Sequence, residues 1–231
     1  MRIFLDKQFN FLKPFDEPVI RIGNTGDGGY VVPIQALTAS GLISLGLGTN
    51  WTFEQHWAIV CPRNYIHAYD KTLHAECLDT NQREIYSSFF IGRVTHFNEH
   101  ATIDNIKEIL SKGTGLAFLK MDVEGAEYSL FPVINDATNL IGMAIEFHAL
   151  DIRRNDFESI IKNLNKRYRI VHLHANNFGE IGQDNLPHTL EITFLHRQLC
   201  KSNKKRNEVY LLEYDSPNSS KEEYELYFRG E

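Results

Sequence analysis

Apolar residues fall along this chain in short runs separated by polar stretches, and the spacing inside the runs alternates between the strand and the helix period. Leu116 to Leu119 is a run of the kind that makes a strand buried on both faces, and it stops at charged and small residues. Asp122 and Glu124 then stand just beyond a strand's carboxyl edge, where an acid can also serve as a helix N-cap; Gly125 lets the backbone turn, and Ala126 to Phe131 resumes as a helical turn. Leu42 to Gly48 is a second apolar run, broken by Gly46 and Gly48, after which Thr49 to Glu54 opens with helical spacing. Tyr65 to Asp70 reads as a strand ending in an acid, Leu73 to Tyr86 as a helix, Ser88 to Val94 as a third strand and Ile103 to Lys112 as an amphipathic helix closed by Gly113. Ala144 to Phe147 makes a fifth strand, with Glu146 and His148 on one face by alternation. Phe157 to Tyr168 is a helix built on Phe157, Ile160, Ile161 and Leu164, and Arg169 to His174 and Thr189 to Leu195 are the sixth and seventh strands.

This order predicts an α/β fold. The last two strands leave little room for a helix between them, so the sheet should be mainly parallel with one reversed strand near its edge. Residues 1–22 mix aromatics and charges around Pro14 and Pro18 and read as an extension packed on the body. Residues 201–231 form a polar tail with one strand-like island, Val209 to Tyr214, and an otherwise solvated end. A single domain over residues 1–231 is the expectation.

Composition narrows the partners. With 30 acidic against 24 basic residues the formal charge is −6, and the longest basic run is Lys204, Lys205 and Arg206, which argues against a nucleic-acid-coating protein but not against a small anionic ligand. Cys61, Cys77 and Cys200 form no CxxC pair, so neither a disulfide framework nor a zinc-thiolate site is indicated. The amino terminus lacks the continuous apolar segment of a membrane span or signal peptide, and a cytoplasmic protein is expected.

Two places invite a cofactor. Strand, glycine turn, helix at Leu42 to Glu54 is the arrangement in which backbone amides and a helix N-terminus meet a polar group, and Asp70, at the tip of the next strand, can accept both hydroxyls of a ribose. Upstream, Arg21 to Tyr30 holds four glycines, a density that permits close backbone approach to a ligand, although Asp27-Gly28 is equally a turn dipeptide and a plain hairpin is the preferred reading there.

Taken together, the DGGYVV of Asp27 to Val32, SLGLGTNWTFE of Ser44 to Glu54, HAYDKT of His67 to Thr72, LKMDVEGAE of Leu119 to Glu127, IEFH of Ile145 to His148, HLHANN of His172 to Asn177 and LEITF of Leu190 to Phe194 resemble the FkbM-type family of S-adenosylmethionine-dependent methyltransferases. LKMDVEGAE is the most specific of these. The resemblance implies a Rossmann-like class I methyltransferase fold with a seven-stranded sheet. It implies that Ser44 to Asn50, with Gly46, Gly48, Thr49 and Asn50, holds the methionine part of S-adenosylmethionine, that Asp70 binds the ribose, and that Asp122 lies beside the amino group and sulfonium. One departure stands out. Ser44 occupies the position, two residues before the glycine, where many methyltransferases carry an acid, so the carboxylate for the cofactor's amine must come from Asp27, Glu54 or Asp122. Gly28 joins this group as part of the glycine-rich stretch.

Methyl transfer to a hydroxyl needs positioning and removal of a proton. His148 is the leading general base, with Asp122 and His174 as further catalytic candidates; His172 is expected to face away from the acceptor. Tyr30, Glu146, His148, His174, Asn176 and Asn177 are the candidate acceptor-binding residues, with Trp51 and Trp57 as aromatic surfaces that equally suit a core, and Asn176 and Asn177 equally suit a turn. Asp122, Glu146 and His148 would also suit Mg²⁺ or Mn²⁺; the spacing fixes no ligand set, and this reading ranks below the metal-free one. The expected activity is O-methylation of a sugar, glycan precursor or similar small polar metabolite. Transfer to a nitrogen, a phosphate-type oxygen or a protein side chain, and a non-catalytic binding protein of the same fold, are the alternatives.

Overall fold

The structure, a computed structural model, describes residues 1–70, 94–97, 105–111, 115–206, 209–210 and 213–229. The helix expected at Leu73 to Tyr86 lies outside the described residues, as do most of the third strand expected at Ser88 to Val94 and the flanks of the helix expected at Ile103 to Lys112.

In chain order the strands are β1 (Arg2–Leu5), β2 (Val19–Ile22), β3 (Tyr30–Pro33), β4 (Gly41–Leu45), β5 (Tyr65–Asp70), β6 (Val94–Phe97), β7 (Ala117–Met121), β8 (Leu140–Phe147), β9 (Tyr168–Ala175), β10 (Leu190–His196), β11 (Val209–Tyr210) and β12 (Glu225–Phe228). The α-helices are α1 (Thr52–Val60), α2 (Ile106–Ser111), α3 (Glu127–Ile134) and α4 (Arg154–Leu164).

A seven-stranded sheet in the order β6-β5-β4-β7-β8-β10-β9 forms the frame. β4 pairs in parallel with β5 on one side and β7 on the other, while β10 runs antiparallel to both β8 and β9. The order turns back on itself beside β4, and in such sheets the crevice beyond the carboxyl ends at that point is where ligands bind. The glycine turn after β4 and Asp122 after β7 both end there.

Every residue of β4, β7 and β8 is buried, as the apolar runs require of strands covered on both faces. One face packs against α3 and α4, whose Phe157, Ile161 and Leu164 are spaced to form a single stripe. The other packs against α1 and the β2–β3 hairpin. There Trp57 stacks on Phe118 at 5.3 Å, and burial of a phenylalanine side chain stabilises by about 1.5–3 kcal/mol. The hairpin is fixed to the sheet by Thr193, whose hydroxyl donates to the Val31 carbonyl at 2.7 Å.

The tail is not a solvated end. β12 pairs in parallel with β1, joining the two ends of the chain, and Tyr224, Leu226 and Phe228 are buried in the main core. The alternating apolar residues of this strand, in a composition otherwise polar, are what dock it.

Candidate active site

The glycine turn is locked from below. Gly46, with φ of +79°, has the carbonyl oxygen of Asp122 1.5 Å from the point where a Cβ would stand, so no side chain fits. Its N–H donates to the Tyr69 carbonyl at 3.0 Å, Asp122 N–H donates to Leu45 at 2.9 Å, and the Lys120 ammonium donates to the Gly46 carbonyl. The ends of β4, β5 and β7 are thereby held together. Gly48, at φ +56°, has nothing within 4 Å of its Cβ position. Asp70 grips the same turn: its Oδ2 accepts from Leu47 N–H at 2.8 Å and Gly48 N–H at 2.7 Å.

Asn50 ties this turn to the hairpin loop. Its side-chain oxygen accepts from the Thr52 hydroxyl at 2.8 Å, at the start of α1, and its amide donates to the Asp27 carbonyl at 2.7 Å. A Cβ on Gly28 would meet that amide at 2.5 Å. Burial raises the pKa of the Asp27 carboxyl, against a hydrogen bond from Asn218. Thr49 lies within the turn. Glu54, in the first turn of α1, is wholly buried and accepts from the Ser44 hydroxyl at 2.5 Å, so the serine that replaces the expected acid is paired with an acid from the helix; burial raises its pKa, with Lys120 and Ser44 opposing.

On the other side of Asp122 a second group assembles. Tyr30 shares its hydroxyl between Asp122 Oδ2 at 3.2 Å and Glu146 Oε2 at 3.3 Å, and the Asn176 amide donates to Glu146 Oε1 at 2.7 Å. His148 Nε2 lies 3.5 Å from Glu146 Oε1, 3.5 Å from Glu124 Oε2 and 3.8 Å from Asp122 Oδ1. Its ring is placed by Glu127, buried at the start of α3, whose Oε1 accepts from the His148 backbone at 2.7 Å and sits 3.4 Å from Nδ1. Burial opposes a charge on His148, but the carboxylates of Glu127 and Glu146 beside the ring hold its pKa up to about 11; burial pushes Glu146 up to about 7. Burial likewise pushes the Tyr30 phenol well up.

His174 is elsewhere. Glu146, Glu191 and His174 stand in one register across β8, β10 and β9, which places His174 two strands, about 10 Å, from Glu146. Both its nitrogens are engaged, by Glu191 at 3.2 Å and Glu223 at 3.3 Å, and it is 1% exposed, so the structure does not bring this expected catalytic and acceptor-binding residue to the Asp122 group. His172 shares its face, with the rings 6.5 Å apart, and bonds Asp215 at 2.7 Å; alternation puts residues two apart on one side, against the expectation that it faces away. Asn177, another expected acceptor-binding residue, is also engaged elsewhere. Wholly buried, it donates to the Lys221 carbonyl at 2.9 Å and accepts from Ser219 N–H at 2.8 Å, clamping the C-terminal segment. Trp57 belongs to the core, and Trp51, 3% exposed, bonds the Gly48 carbonyl at 2.7 Å.

Lys120, Glu127, Glu191 and Asn218 were not among the expected site residues. A lone charge inside a strand buried on both faces, as at Lys120 and Glu191, is the signal that marks the first and third. Nothing local marks Asn218, which donates to Glu191 at 2.6 Å from 27 residues away.

A sheet with one reversed strand, a glycine turn after the first parallel strand and an acid at the tip of the next define a Rossmann-like protein of the class I methyltransferase type. The chain belongs to the FkbM methyltransferase domain family, whose model matches residues 21–178. Among solved structures it is similar to the fibrillarin pre-rRNA processing protein of Methanococcus jannaschii, at 12% identity over 78% of this chain and 83% of that one with a TM-score of 0.43. It is also similar to precorrin-6y C5,15-methyltransferase from Geobacter metallireducens, at 10% identity over 71% and 85% with a TM-score of 0.41. A third is TrmK of M. capricolum in complex with S-adenosyl-homocysteine, at 11% identity over 78% and 70% with a TM-score of 0.41. Likenesses of this degree say nothing of the acceptor. No curated protein matches the chain significantly in sequence. Among the described residues no helix is long and apolar enough to cross a membrane.

Proposed function

We propose that this protein is an S-adenosylmethionine-dependent O-methyltransferase acting on a hydroxyl of a sugar, glycan precursor or similar small polar metabolite. One observation carries the reading: Asp122 belongs to both halves of the site, its carbonyl against Gly46 and its carboxylate 3.2 Å from the Tyr30 hydroxyl. The residues present fit the cofactor, since Gly46 and Gly48 carry no side chain at the turn and the Asp70 carboxylate stands at its end. When bound, S-adenosylmethionine supplies a methyl group on a positively charged sulfur.

The chain's own part is positioning and charge. The Asp122 carboxylate favours a positive neighbour. Tyr30 and Asn176 fix the Glu146 carboxylate, and Glu127 fixes the His148 ring, so that Asp122, Glu146 and His148 surround the place where a hydroxyl would lose its proton. Holding an acceptor in line there is worth more than any single group. Hydroxyl-rich acceptors suit a wall of carboxylates and an amide, which accept and donate in turn. The free thiols of Cys61 and Cys200 accord with a reducing, cytoplasmic setting.

Incubation with methyl-labelled S-adenosylmethionine and a panel of sugar nucleotides, glycans and amine-bearing metabolites tests this. Label in an ether methyl on a hydroxyl is the expected result; label on nitrogen alone, or on no hydroxyl-bearing acceptor, overturns it.

A further inference from the structure

His148, Asp122 and Glu146 do not bond one another, although they crowd together. The separations from Nε2, 3.5 Å to Glu146 Oε1 and 3.8 Å to Asp122 Oδ1, are longer than hydrogen bonds. One ligand atom from each residue lies within 4.8 Å of the others, a spacing that lets a single ion sit at roughly 2.1–2.4 Å from all three.

Two further observations point to such an ion. Asp122 Oδ1 is wholly buried and has no hydrogen-bond partner among the described residues, an arrangement native proteins rarely leave uncompleted. The histidine is prepared as a ligand. Glu127, itself 0% exposed, takes the backbone N–H of His148 and faces Nδ1, turning Nε2 toward the two carboxylates; a carboxylate behind the ring is the usual support of a metal-binding imidazole. Glu146 is oriented in the same way by Tyr30 and Asn176.

We propose that Asp122, Glu146 and His148 bind one divalent cation of the Mg²⁺ or Mn²⁺ kind at the carboxyl edge of β7 and β8. Two carboxylates and one imidazole select a hard to borderline ion over a thiophilic one. Three protein ligands leave coordination positions open, and an acceptor that offers two neighbouring oxygens would fill them. This last point rests on the O-methyltransferase reading; the binding of the ion does not.

The test uses the full chain, without an affinity tag, stripped with chelator and titrated with Mn²⁺ alone while electron paramagnetic resonance follows the free ion. One saturable Mn²⁺ per chain is expected, with nitrogen modulation in the pulsed spectrum from one directly bound imidazole. His148→Gln should abolish the modulation, and Asp122→Asn should weaken binding at least tenfold, each with a cooperative thermal melt. Absence of saturable binding, modulation that persists in His148→Gln, or Asp122→Asn binding as tightly as wild type would each overturn the site. If one variant does not fold, the other decides, because modulation and affinity are separate readouts. No cofactor or acceptor enters the experiment, so failure of the methyl-transfer reading would show only in the labelling assay.

Discussion

The carbonyl oxygen of Asp122 occupies the space a side chain would need at Gly46, 1.5 Å from the Cβ position. The strand end that delivers the acid and the glycine turn are therefore one packed unit. Gly46 also sits at φ +79°, a conformation other residues adopt only with strain. Gly46→Ala should push β4 and β7 apart at their carboxyl ends, lower the melting temperature and abolish binding of S-adenosylhomocysteine in calorimetry. Retention of wild-type affinity would mean that the cofactor does not use this turn.

Asp70 makes a different contribution, because its carboxylate accepts two backbone N–H groups of the turn. Hydrogen bonds to a charged group are each worth about 1.5–3 kcal/mol, and about 1.4 kcal/mol is tenfold in affinity. Asp70→Ala should weaken S-adenosylhomocysteine at least tenfold, with Asp70→Asn, which keeps an acceptor oxygen, falling between. Calorimetry on the three proteins checks the order, and an Asp70→Ala affinity equal to wild type would remove Asp70 from the cofactor site.

Strands such as β4 and β7 are legible in sequence because burial on both faces demands an apolar run, and Asp122 announces itself just after β7 ends. Glu146 and His148 are legible through alternation at the end of β8. What surrounds them is less so. His174 looks like His148 in sequence, but its environment is set by Glu191, on a strand that becomes its neighbour only through the reversed pairing, and by Glu223, 49 residues on. Asn177 reads as a turn former or a sugar ligand until the segment it clamps is folded over it. The face of His172 was available from the two-residue period alone. Trp57 illustrates the converse: an aromatic in a helix says nothing of ligand or core until Phe118 lies against it.

Glu146 should separate binding from transfer. It touches Tyr30 and Asn176 and none of the glycine-turn atoms, so Glu146→Gln should leave S-adenosylhomocysteine affinity within about twofold. Transfer should fall by a factor on the order of 10²–10⁴, the range for a group that handles a proton in the transition state. Parallel calorimetry and labelled-methyl assays read the two effects. Loss of cofactor affinity matching the loss of rate would assign Glu146 to the cofactor half of the site.

His174 carries part of the pH dependence of the folded chain, beside His148, the other imidazole whose pKa is raised. Burial works against its charge, but Glu191 and Glu223 hold its pKa at about 10, against an ordinary value of 6.5, while Glu191, despite its own burial, is drawn down by His174. The folded protein keeps the proton where the unfolded chain has lost it, so the stabilisation is complete below about pH 6.5 and declines as the pH rises toward 10. The melting temperature should therefore fall across that window, and the effect should be felt first where Glu223 and the Asn177 clamp hold the segment 213–224 to the sheet. His174→Gln removes one of the two raised imidazoles and should make the decline shallower, with a lower melting temperature at pH 6.5 and amide protons of residues 218–224 exchanging faster at every pH. A decline in His174→Gln as steep as in wild type would show that the pH dependence arises at another group.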